Sequence, residues 1–227
     1  KDYARPEYIT YYRNQLRETA TATFAEITTG VLATDVRDSQ VLSWADYDND
    51  GDLDCYAINY SSVGNQLYRN DGAAFVKITN GAIVSFAPGS HGVAWGDYDN
   101  DGDLDVYVAR DNPHANLYYR NDGSGTFTSV TSGAFVTTPR SNYGVAAGDY
   151  DGDGDLDLFA PTARSEGPGV LYRNDLANGN HWAAFRLSGG PSNRSGIGAR
   201  VRARAVIGGA PRWQLREISA STGYGSQ

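Results

Sequence analysis

The chain has 227 residues, of which 40% are hydrophobic, and a formal net charge of −8. That is enough for one or two domains with a real core, and the acidic balance with no accompanying motif argues against a nucleic-acid binder. No apolar run approaches the ~18 residues of a bilayer-spanning helix. The single cysteine, Cys55, permits no intrachain disulfide.

From the N-terminus, Lys1 is followed by no signal-peptide pattern, as expected of a mature or excised segment. The stretch "ITYYRNQLRETATATFAEIT" then offers two β-rich segments, the first ending in Tyr12-Arg13-Asn14. Next comes "VLSWADYDNDGDLDCYAINY", followed by "QLYRNDGAAFVKIT". The order is repeated in "GVAWGDYDNDGDLDVYVAR" with "NLYYRNDGSGTFTSVT", and again in "GVAAGDYDGDGDLDLFAPTA" with "VLYRNDLANGNHWAAFRLS". Each unit supplies four short strand-like segments: one entering an Asp-rich loop, one leaving it, one ending in Tyr-Arg-Asn, and one with alternating apolar positions. Asp-Gly and Asn-Asp-Gly joints suit hairpins. Four strands in about 50 residues, repeated, are the pattern of propeller blades.

The expected fold is therefore all-β, a propeller-like array of about three and a half four-stranded blades over residues 1–178, with a small β-rich region over 179–227. The N-terminal stretch is the half unit, holding only the third and fourth segments. A seven-bladed ring at this period needs about 365 residues, more than the chain has. The first copy lacks the glycines that precede the Asp loop in the others, so its entering strand is expected to sit differently. Cys55 stands where Val106 and Leu158 stand in the other copies, which makes it a buried apolar residue. The recurring Tyr68, Tyr119 and Tyr172, each followed by Arg-Asn, read as architecture, with the tyrosine packed between blades and the arginine tying adjacent loops.

The Asp loops carry the charge. They hold 15 of the 27 acidic residues, and outside them 12 acids face 19 bases. Alternating carboxylates on a tight loop repel one another unless a counter-ion joins them. Asp46, Asp48, Asp50, Asp52 and Asp54 form the first set, Asp97, Asp99, Asp101, Asp103 and Asp105 the second, and Asp149, Asp151, Asp153, Asp155 and Asp157 the third. Alternating hard oxygen donors with a glycine at the sixth place (Gly51, Gly102, Gly154) suit Ca2+, one ion per loop, three in all. Zinc would call for His or Cys, and magnesium for a stricter octahedron. The helix-flanked calcium loop is matched only in part, because the twelfth places hold Ala57, Val108 and Ala160 instead of glutamate.

These loops, preceded by Gly-Val-Ala-Trp-Gly at 92–96 and Gly-Val-Ala-Ala-Gly at 144–148, resemble the FG-GAP or VCBS repeat of integrin-α-like propellers and bacterial surface proteins. The stretch from Asn180 onward resembles the ASPIC/UnbV domain that follows such repeats in cartilage acidic protein and its bacterial relatives. The resemblance implies calcium binding by the side chains of Asp46, Asp48, Asp50 and Asp54, with the Asp52 backbone carbonyl as a further ligand, and the same pattern in the other two loops. Calcium sites of this acidity are most useful where calcium is plentiful, so an extracellular, cell-surface or periplasmic setting is expected, and no catalytic activity is expected.

Toward the C-terminus, "ARVRARAV" alternates arginine with Ala and Val, as a strand with one basic face does. That face is either simply solvated or recognises acidic glycans or the Asp-rich surface of another copy. Two glycosylation sequons begin at Asn59 and Asn193, of which Asn193, in a Gly/Pro/Ser-rich loop, is the better acceptor. The histidines are scattered and no local motif supports a hydrolytic triad. The expected function is structural or adhesive, with assembly through the half blade at residues 8–29 into a ring or filament. The expected partners are other copies of the chain, a surface protein or a glycan. The alternatives are a binding module belonging to a larger propeller and, with least support, an enzyme.

Overall fold

The computed structural model describes residues 10–35, 39–60, 64–176, 179, 181–183, 185–190, 196–207 and 209–218. It is built of antiparallel sheets, with three single-turn helices (α1 Leu16–Thr19, α2 Val31–Thr34, α3 Ala134–Thr137) in the connections. The half unit is a two-stranded sheet of β1 (Tyr11–Asn14) and β2 (Phe24–Ile27). Two four-stranded sheets follow in sequential order. The first holds β3 (Ser39–Ala45), β4 (Asp54–Asn59), β5 (Gln66–Asn70) and β6 (Phe75–Ile78). The second holds β7 (Ser90–Gly96), β8 (Asp105–Arg110), β9 (Leu117–Asn121) and β10 (Phe127–Val130).

The third sheet has only β11 (Ala146–Gly148), β12 (Asp157–Ala160) and β13 (Val170–Tyr172). The expected fourth strand, in "HWAAFRLS", is not formed by its described residues. The Trp182 indole lies directly against Gly154 in the third Asp loop. Among the described residues the array thus has two full blades, one of three strands and a half blade, and shows no ring closure. β14 (Arg200–Ile207) and β15 (Ala210–Glu217) make a separate hairpin.

The repeat is kept in register as well as in sequence. Asn14 pairs with Phe24, Asn70 with Phe75 and Asn121 with Phe127, so the half blade is built as the outer half of a full one. The entering strands are also equivalent: Ala45 opposes Asp54 as Gly96 opposes Asp105, and both strands carry a register irregularity at the same place. The missing glycines in the first copy therefore do not alter that strand, contrary to expectation, because backbone pairing to the fully buried β4 sets its position.

β4 and β8 are buried along their whole length. Both faces are covered because Tyr56, Ile58 and Val41 of the first blade pack with Val93, Val106, Val108 and Tyr119 of the second in one core. A second cluster joins Tyr98, Tyr107 and Val136 to Leu158 of the third blade. Cys55 is fully buried with Leu32, Ala57 and Tyr68, and burial pushes its thiol up to about 12, as a structural cysteine requires. Asn59 is likewise buried, accepting from Ser39 Oγ (2.8 Å) and donating to the Gly64 carbonyl (2.7 Å), so its sequon presents no free acceptor. Asn193 lies outside the described residues.

Candidate metal centres

Each Asp loop joins the first two strands of a blade, and its shape is made by its own carboxylates. The first aspartate accepts the amide of the sixth-place glycine: Asp46 from Gly51 at 3.1 Å, Asp97 from Gly102 at 3.0 Å, Asp149 from Gly154 at 3.1 Å. The fifth-place aspartate accepts the amide two residues on, at 2.8 Å (Asp50), 2.9 Å (Asp101) and 3.0 Å (Asp153). These glycines have φ of +99°, +93° and +95°, a region a side chain rarely adopts. The loop is thus folded around its acids before any ion is considered.

The folding brings three carboxylates together in each copy. Ligand-capable oxygens of Asp46, Asp48 and Asp50 lie within 4.8 Å of one another, as do those of Asp97, Asp99 and Asp101, and those of Asp149, Asp151 and Asp157. The ninth-place residues have a second task. Asp54 accepts the amides of Tyr47 (3.1 Å) and Asn70 (2.8 Å), and Asp105 accepts those of Tyr98 and Asn121 together with the Tyr118 hydroxyl at 2.8 Å. Asp157 repeats the two amide bonds with Tyr150 and Asn174. The seventh-place side chains of Asp52, Asp103 and Asp155 stay outside the three groups.

Burial of the carboxylates shows in the acidities. Burial, reinforced by Asp50, raises Asp46 to about 6, and burial raises Asp97 to the same value, although Arg216 opposes the rise. Burial carries Asp54 to about 7 and Asp105 to about 8. Asp46 is 2% exposed, and its Oδ1 is buried with no hydrogen-bond partner. A buried carboxylate oxygen without a partner is costly unless something else satisfies it. A hard divalent cation fits this donor set, which consists of oxygens only.

Neighbouring loops are joined in a fixed pattern. Asn49, fourth in the first loop, donates to Asp103, seventh in the second, at 2.7 Å, and Asn100 donates to Asp155 at 2.6 Å. Asn121 Nδ2 reaches the Tyr47 carbonyl at 2.8 Å, and Asn174 Nδ2 reaches Tyr98 at 2.8 Å. The asparagine of Tyr-Arg-Asn is therefore the tie between blades. The arginines expected to tie adjacent loops pair chiefly within their own turn, Arg69 with Asp71, Arg120 with Asp122 and Arg173 with Asp175, although Arg173 also lies 4.0 Å from Asp151 of the adjacent Asp loop. Proximity decides this, since each acid is only two residues along the chain.

The C-terminal hairpin crosses the first two loops. Arg212 pairs with Asp103 at 2.5 Å, and Gln214 donates to the Gly102 carbonyl at 3.1 Å. Ile207 also lies against Gly102, and a side-chain carbon added at Gly51 would come within 2.8 Å of Arg202. Leu215 and Arg216 line a cavity of about 360 Å3 with Trp44, Asp46, Trp95 and Val145, residues contributed by all three blades. The arginines of the basic strand read from the sequence, Arg200, Arg202 and Arg204, are exposed, and the bonds to the loops come instead from β15. The visible signal was the surplus of bases outside the loops.

At the other end of the sheets, residues that differ between copies converge. His91 sits between Tyr60 (5.0 Å between ring centres) and Tyr143 (4.7 Å), and its Nε2 lies 3.6 Å from Asp111. Both tyrosines are about half exposed. Backbone bonds from Gly89 to Tyr60 (3.0 Å) and from Asn142 to Arg110 (2.9 Å) link the loops of the three blades beneath them.

The repeated hairpins and their Asp loops define a class, the antiparallel β-repeat with an aspartate-rich loop between its first two strands. Residues 46–108 and 97–160 each match the FG-GAP-like repeat, together half of the chain, and the chain belongs to that family. No curated protein matches it.

Proposed function

We propose that this chain is a calcium-stabilised, extracellular module of the β-propeller type that serves adhesion or assembly and has no enzymatic activity. The observation that carries the reading is the threefold grouping of carboxylates, with Asp46 Oδ1 buried and unpartnered in the first group. In each loop an ion would be held by the grouped aspartates, completed by the remaining loop aspartates and backbone carbonyls, and its charge would offset their repulsion. Binding free energy then becomes folding free energy. FG-GAP-like repeats are typical of extracellular proteins, which supports a location where calcium is plentiful.

Self-assembly is the sharper form of the proposal. Among the described residues the β1–β2 sheet has two strands, and an unpaired β-edge recruits a partner strand. A second copy that completes this half blade gives a ring if the contact closes and a filament if it does not. The ASPIC/UnbV-like region, residues 179–227, contributes the hairpin that lies on the loops. Sedimentation velocity in calcium and then in excess chelator tests this. Large species that dissociate on chelation are expected, and a monomer at all concentrations in calcium contradicts assembly.

A second reading is a binding module for a surface protein or glycan. It is favoured by the half-exposed Tyr60 and Tyr143 flanking His91 with Asp111 beside it, since aromatic faces next to a carboxylate suit sugar rings and hydroxyls. Titration with neutral oligosaccharides, followed by tyrosine fluorescence in the native protein and in Tyr143→Ala, tests it. Saturable quenching lost in the variant supports the reading, and no quenching contradicts it.

A further inference from the structure

We infer that Arg212 and Arg216 are built-in counter-cations of the first two metal loops, placed there by the C-terminal hairpin, and that they weaken metal binding at those loops while sustaining the fold without metal. The inference rests on the metal reading above and adds to it a non-equivalence among three loops that the repeat sequence makes look alike.

Three observations support it. First, the hairpin meets loops one and two through charge: Arg212 pairs with Asp103, whose side chain is 4% exposed, and Arg216 lines the same cavity as Asp46. Burial pushes the Arg216 guanidinium down, and the carboxylates of Asp97, Asp46 and Asp103, drawn from both loops, oppose that. Second, the third loop is approached differently. Its neighbour is the neutral indole of Trp182, and the described cation near it, Arg173, is an exposed residue of its own blade, 4.0 Å from Asp151. Third, the amide bonds that shape the second loop are made within the loop, and the hairpin's own hydrogen bond to its backbone, from Gln214 to the Gly102 carbonyl, does not involve Arg212. Asp97 and Asp101 accept its amides, and Asp103 keeps its bond from Asn49.

The third observation decides the sign. If Arg212 ordered the loop for the ion, its removal would weaken binding. Because the loop is held by its own bonds, the remaining effect of the guanidinium is Coulombic. A positive charge held beside a cation site opposes the cation, more so where burial limits screening. Without metal, the same charge offsets buried carboxylates that otherwise repel one another. The two states therefore respond oppositely to the arginines, and the hairpin sets how much calcium the first two loops need.

The test is calcium titration calorimetry on the whole chain and on Arg212→Gln, with Arg204→Gln as the control. Arg204 stands on the same hairpin over Trp213, 6.0 Å from the ring centre. Thermal unfolding in chelator and in saturating calcium is measured alongside. Arg212→Gln is expected to bind calcium several-fold more tightly at one class of sites with unchanged stoichiometry, to melt lower in chelator, and to recover most of that loss in calcium. Arg204→Gln should match the native protein. Arg216→Gln should show the same pattern more strongly. If it does not fold in chelator but folds in calcium, that too supports the inference. Unchanged or weaker binding in Arg212→Gln overturns it while leaving the metal reading intact. No calcium heat in the native protein overturns the metal reading and this inference with it.

Discussion

At the residue scale, the asparagine of Tyr-Arg-Asn ties the second blade to the first and the third to the second. Asn121 is fully buried, donates to Tyr47 of the preceding blade and to Leu104 of its own, and accepts from Gly123. Asn70 stands at the same place in the first blade, where its side-chain donor meets only Leu53, at 3.2 Å. An orphaned buried polar group costs about 1–3 kcal/mol. Asn121→Ala should therefore lower stability in urea unfolding by roughly 2–4 kcal/mol, and Asn70→Ala by about half as much; equal losses would remove the asparagine from its role between blades. Gly102 is the other sensitive position. At φ +93°, with Ile207 and Gln214 against it, Gly102→Ala should cost about 1–3 kcal/mol from backbone strain alone and should loosen the hairpin as well. Faster limited proteolysis within β14–β15 would report the loosening, and an unchanged cleavage rate would contradict it.

At the element scale, the blades differ in how fully they are covered. β4 and β8 are central strands buried on both faces, while the third sheet has three strands and leaves Phe159 and Leu171 about half exposed. Hydrogen exchange should accordingly be slowest in β4 and β8 and markedly faster in β11–β13, because local opening follows the number of buried contacts; equal protection across the three sheets would contradict this. The strands were legible because apolar alternation, hairpin turns and the Tyr-Arg-Asn ending coincide in each copy. The missing fourth strand was not, since "HWAAFRLS" has a strand's pattern and only the contact of Trp182 with Gly154 shows where it goes. The tie between blades was half legible. Asn49 and Asn100 occupy a loop place that Gly152 takes in the third copy, but which residue each would reach depends on how blades are placed, and spacing carries no such information.

At the scale of the whole molecule, charge and architecture are one problem. The formal charge of −8 is concentrated in three loops, and the bases outside them include the hairpin arginines that come to lie on the first two. The three groups of carboxylates were legible from their spacing, since the loop is local in sequence. The role of Arg212, Gln214 and Arg216 was not, because they are more than 100 residues from the groups they meet. Removing the ions should lower the unfolding temperature in proportion to sites emptied, since a ligand bound only by the folded state stabilises by RT ln(1 + [L]/Kd) per site. The most direct measurement is calcium titration calorimetry on the chelator-treated chain, with the melting temperature followed over the same range. Three ions per chain and a melting temperature that rises through the titration are predicted. A chain that takes up no calcium and melts at the same temperature in chelator would contradict the account at its centre.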